Sequence, residues 1–208
     1  MKNCVVGGRL VFTLLCMFPL SLLADDCLQF KKIPRVILDV PDWNKTVVQP
    51  KESMDMWHGN VVATLIDNYN IVADVNKVND GYCVGIKSVD AVVGYNDFVV
   101  QIDITHKPNS CQYNAILAHE DKHIKTYLSV IDDFKPDLQK SVFAAADSIM
   151  PIFVKDIDDV DVAVNNINNK LQNHPDLIIV KQKLRAAEEI RNKKIDQDED
   201  NKDLKKCL

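Results

Sequence analysis

Residues 114–124 restrict the fold of this chain more than any other stretch, because they place His119, Glu120 and His123 in an H-E-x-x-H pattern. At about 100° per residue, the two histidines fall on one face of a helix. Glu120 falls inside the neighbouring apolar arc with Leu117, Ile124, Leu128 and Ile131, while Asp121, Lys122, Lys125 and Thr126 take the opposite, solvated arc. A carboxylate on an apolar face is costly unless something there compensates it. Two imidazoles four residues apart can grip one Zn²⁺, and a Glu between them is placed to act as general base on a water at the metal. The competing reading is a surface helix with two core-edge histidines and a Glu bonded to an Arg or Tyr. Three functional groups sharing one buried arc favour the metal.

The chain has 208 residues, 47% of them hydrophobic and 26% charged, which suits one globular domain with a real core. A formal net charge of -5, with no basic stretch interleaved with aromatics, argues against a nucleic-acid partner. Met1, Lys2 and Arg9 precede an apolar run from Leu10 to Leu23, and Ala24 precedes Asp25 and Asp26. Residues 1–24 therefore read as a signal peptide, and the run is too short for a membrane span. No later segment is apolar enough to span a bilayer, so the mature protein is expected to be soluble and secreted or periplasmic. Cys27, Cys83, Cys111 and Cys207 remain after cleavage, an even number suited to an oxidising compartment. Three connectivities are open to them. Cys83 with Cys111 is favoured, since it would tie an upstream strand to the start of the motif helix, a closure contributing roughly 3 kcal/mol. Cys27 would then join Cys207.

Along the chain, residues 31–40 and 46–48 read as extended, and Asn44-Lys45-Thr46 is a formal glycosylation acceptor. Met54, Trp57, Val61 and Leu65 predict an amphipathic helix over 53–69. Asn79-Asp80-Gly81 signals a turn. Two β-rich runs, 83–93 and 97–105, are separated by Gly94-Tyr95-Asn96 and predict a hairpin or neighbouring antiparallel strands. The run from Asp97 is the candidate for binding an extended substrate by strand addition. Ser110 is a credible N-cap for the motif helix, which is expected to stop near residue 131 before Pro136. A second helix follows over 138–152, then two more over 159–172 and 175–193, and a charged tail from Asp196. Residues 25–155 would form an α+β domain, a small antiparallel sheet packed on the motif helix. Residues 156–208 would add helices and the tail to the same domain.

Catalytic zinc usually takes three protein ligands. After His123 no Glu appears until Glu188, so the third is expected to be an Asp. If two helices fold back about residue 135, His123 faces Asp147, which interrupts an apolar stretch. Asp133 is second choice, and Glu188, Glu189 and His174 lie further off. Residues 83–123 also resemble a bacterial family of secreted proteins labelled zinc-dependent proteases, and the H-E-x-x-H helix itself resembles zincin metallopeptidases. Cys83-Val84, Gly94, Asn109-Ser110 and Cys111-Gln112-Tyr113-Asn114 leading into His119-Glu120-x-x-His123 carry the likeness, over about a fifth of the chain. The resemblance implies a secreted sheet-plus-helix protein with a Cys83–Cys111 bridge.

These readings converge on an exported zinc peptidase. Zn²⁺ on His119, His123 and Asp147 would activate a water, Glu120 would take its proton, and a peptide or protein would be the substrate. His106 or Tyr127 would stabilise the oxyanion, while His58 and His174 have no assigned part. The alternative is a non-catalytic exported zinc-binding or protein-interaction module, and a third possibility is a structural domain without metal. The sequence leaves the oligomeric state open.

Overall fold

A two-residue turn at Asn79 and Asp80 folds the middle of the chain into its longest feature, an antiparallel hairpin. The computed structural model describes residues 27–54, 58–199 and 206–207, so the expected signal peptide lies outside the described residues. The hairpin strands are β3 (Gly59–Val78) and β4 (Gly81–Ile102). On the other edge of β4, β1 (Arg35–Asp39) and β2 (Asn44–Val48) pair in parallel, and β5 (Ile152–Val154) pairs antiparallel. The five-stranded sheet is thus mixed, not purely antiparallel, with β4 at its centre.

The two β-rich runs are one strand. Thr64 pairs with Asp97 and Leu65 with Tyr95, so Asn96 is an extra residue absorbed as a bulge. The bulge shifts the phase of burial. Val89, Ala91, Val93 and Tyr95 face the core before it, and Phe98, Val100 and Ile102 after it. Gly94, at φ 155, lets Pro41 and Val40 approach, because a Cβ there would lie 2.8 Å from Pro41 Cδ. The segment from Asp97 is enclosed between β2 and β3 and offers no free edge for a substrate.

Among the described residues of 53–69 there is no helix; from Gly59 onward they form β3. The spacing of Val61 and Leu65 fits a strand as well as a helix, and pairing along β4 decides between them.

Helix α1 (Cys111–Ser148) runs unbroken for 38 residues with Pro136 inside it. Proline there removes the bond to the Asp132 carbonyl. Asp132, Asp133, Pro136 and Asp137 are all exposed, so water can take over that carbonyl and the helix continues. The expected stop near residue 131 does not occur, and the segment 138–148 is the far half of the same helix. A 3₁₀ turn (Ile157–Asp159) leads into α2 (Val160–Gln172), and α3 (Pro175–Glu199) follows. Both late helices match the expectation, although α3 carries on past Asp196, where a tail was expected.

Leu38, Val89, Phe98, Ile131, Leu138, Val142, Ile167, Leu171, Leu177 and Leu184 belong to one buried cluster, so the C-terminal helices pack on the same core as the sheet. The disulfides are Cys27–Cys83 and Cys111–Cys207, not the expected Cys83–Cys111 and Cys27–Cys207. Closing loops of 56 and 96 residues contributes about 4 to 5 kcal/mol each by chain entropy. No helix among the described residues is long and apolar enough to cross a membrane.

Candidate metal centre

Ser110 caps α1 as expected, its hydroxyl accepting from the Tyr113 N–H at 3.2 Å. From that start the helical repeat brings His119 and His123 together, with Nε2 atoms 3.1 Å apart. The third member comes from α3. Asp196 Oδ1 lies 3.4 Å from His119 Nε2 and 3.1 Å from His123 Nε2. Among the described residues these make the one group of three or more acidic, His or Cys side chains that could hold a metal ion.

The spacing suits an ion. Oxygen and nitrogen ligands about 2.0–2.2 Å from a tetrahedral Zn²⁺ stand about 3.3–3.6 Å from one another. The observed separations are within a few tenths of an ångström of those edges. His123 is also oriented for coordination, since its Nδ1 lies 2.9 Å from Asn192 Oδ1. An amide oxygen can only accept, so Nδ1 carries the proton and the Nε2 lone pair faces the cluster. Two neutral imidazoles and a carboxylate form a donor set that fits zinc.

Glu120 is buried, as its place on the apolar arc required. Burial pushes its carboxyl up to about 7, with nearby His123 opposing and Asp196 and Asp121 adding to the rise. The room for this carboxylate is made by Gly59. A Cβ on that residue would lie 2.6 Å from Glu120 Oε1 and 2.4 Å from Ile116 Cγ2. The first residue of β3 thereby touches the functional face of α1.

Asp147 is not part of this centre. It lies on the same continuous helix as His123, and 24 residues of helix separate them by about 36 Å. The antiparallel register that brought them together needed a break at Pro136 that does not exist. Asp133 pairs instead with Arg191 at 2.7 Å. Glu188 is buried but accepts from Tyr95 Oη at 2.7 Å, and His174 sits by Ser148 and Asp176. Tyr127 packs on Tyr95 and Phe98, and His106 meets His58.

Asp196, Asn192 and Gly59 went unrecognised in the sequence. A signal for the first two exists. Along α3 a single i, i+4 row reads Val180, Leu184, Glu188, Asn192, Asp196, apolar and then polar. A polar continuation of a core-facing row asks for partners, and α1 supplies His119 and His123.

Asp103 organises the neighbouring loops. Its buried carboxylate accepts from Ser53 Oγ at 2.8 Å, from the Met54 N–H, and from both the hydroxyl and the N–H of Thr105. These donors, the Thr105 hydroxyl foremost, hold its carboxyl well below the usual range. No family model, curated protein or solved structure matches this chain.

Proposed function

We propose that the protein is an exported zinc-dependent peptidase in which His119, His123 and Asp196 hold the ion and Glu120 is the general base. One observation carries this reading: three ligand atoms 3.1–3.4 Å apart stand beside a buried carboxylate on the adjacent helix position. Bound zinc would supply a polarised carbonyl and an acidified water. Glu120 takes a proton from the attacking water and returns it to the departing amine, so no further acid is required. Asn192 holds the His123 ring in the ligating tautomer.

The shape of the sheet favours an extended substrate. Among the described residues β3 pairs only with β4, so its outer backbone edge is unpaired, and that edge begins at Gly59 against Glu120. A peptide adding to this edge would run past the carboxylate. Export is supported by two disulfides, which persist in oxidising compartments.

The test uses the full mature chain, zinc analysis and a fluorogenic peptide library. Glu120→Gln should keep zinc and lose hydrolysis by about 10²–10⁴-fold. Asp196→Ala should lose zinc and activity together, while Asp147→Ala and Asp133→Ala keep both. Wild-type hydrolysis by Glu120→Gln would leave a non-catalytic zinc-binding module as the better account. Wild-type zinc retention by Asp196→Ala would remove Asp196 from the ligand set.

A further inference from the structure

A second imidazole pair lies outside the centre described above. His58 Nδ1 and His106 Nε2 are 3.1 Å apart, with ring centroids 5.1 Å apart and planes at 63°. His58 is exposed and His106 half-buried, and both sit in loops whose backbones are tied together. The Asp103 N–H donates to the His58 carbonyl at 2.9 Å, and the His106 N–H donates to the Asp103 carbonyl at 3.1 Å. Gln49 Nε2 bridges the Asp103 and His106 carbonyls at 3.2 and 2.8 Å. The buried Asp103 carboxylate, with its four donors, ties residues 53–54 to the same turn.

An exposed N–H···N bond between two imidazole rings competes with water and contributes on the order of 1 kcal/mol. The buried carboxylate network holds both rings' backbones, so the two facing nitrogens are kept at this spacing by more than their own bond. Adjacent nitrogen ligands about 2.0 Å from an ion stand about 2.8 Å apart on a square and about 3.3 Å apart on a tetrahedron. The observed gap lies between the two. We infer that His58 and His106 form a second site for a divalent late transition ion, binding copper(II) more tightly than zinc(II), with water completing the coordination. The order of the two ions follows from the general affinity of imidazole sites across the series. On binding, the proton shared between the rings moves to the outer nitrogen of its own ring, so both facing lone pairs reach the ion. The site is independent of the zinc reading, although His58 precedes the Gly59 that abuts Glu120.

The experiment titrates metal-free, disulfide-intact mature protein with copper(II), reading bound metal by equilibrium dialysis and nitrogen hyperfine structure by electron paramagnetic resonance. Wild type should bind one equivalent more than His58→Ala or His106→Ala. A His119→Gln/His123→Gln protein should retain one equivalent with imidazole nitrogen couplings, and should lose it when His58→Ala is added. Circular dichroism and His58→Gln, which keeps a polar group but no imidazole, control for folding. His58→Ala and His106→Ala proteins that fold and bind as much copper as wild type would overturn the inference. So would a folded His119→Gln/His123→Gln protein that binds none. Loss of the first equivalent alone in the double variant speaks to the α1–α3 centre and leaves this one standing.

Discussion

The antiparallel seam between α1 and α3 has two unlike ends. At one end Leu138 of α1 and Leu184 of α3 meet Leu65 and Val93 of the sheet around one small space, and Leu177 and Val180 extend the apolar contact. At the other end the same helices present His119 and His123 to Asn192 and Asp196, with Glu188 bonded to Tyr95 between the two regimes. The repeat is the same throughout. What changes is whether a buried position gains free energy by leaving water or loses it. The apolar end carries the stability that lets the polar end be assembled from side chains that would not pack there by preference.

That contrast can be broken at each end separately. Leu184→Ala should lower unfolding free energy by about 2–5 kcal/mol in urea titrations while zinc content per folded molecule stays at wild type. Equal loss of zinc from the folded fraction would mean the ends are not separable. Asn192→Ala should do the reverse. Freed from its amide partner, His123 should cost about 10–100-fold in zinc affinity, measured by chelator competition, with little change in metal-free stability.

Glu188 tests the boundary. Burial raises its carboxyl, against the pull of Tyr95 and Arg185. A carboxyl raised in the folded state stabilises the fold below its unfolded pKa, and that contribution is lost as pH rises through the folded value. Glu188→Gln should therefore gain stability relative to wild type as pH climbs out of the ordinary carboxylate range. A variant that trails wild type by a constant margin at every pH would show that Glu188 is neutralised by a partner rather than desolvated. The smallest effect belongs to the exposed periphery. Lys45 holds Asp121 at 2.9 Å beside the motif, and Lys45→Ala should change stability by under about 1 kcal/mol and leave metal binding alone.

Local chemistry was legible in the sequence, and long-range register was not. Ser110 as cap, the shared face of His119 and His123, and the burial of Glu120 all follow from a single helical turn or two, and all are found. The turn at Asn79-Asp80 is equally local. Asp147 failed because Pro136 was given the power to end a helix, and on an exposed arc it lacks that power. The stretch from Gly59 is hard to read as a strand because Asp67, Asn68 and Asn70 have low β propensity, and pairing with β4 is what holds it extended. Asp196 is announced only by the polar end of the row from Val180, and matching that end to His119 and His123 requires the lie of α3 on α1.

The disulfide pairing carries a consequence for how the molecule is made. Along the described chain the first cysteine joins the second and the third joins the fourth, so the two covalent rings, 27–83 and 111–207, neither overlap nor nest. An oxidant meeting these four thiols in chain order would form the native pairs, the first ring closing before Cys111 arrives. Oxidation in that order leaves no wrong pair among the four for an isomerase to undo.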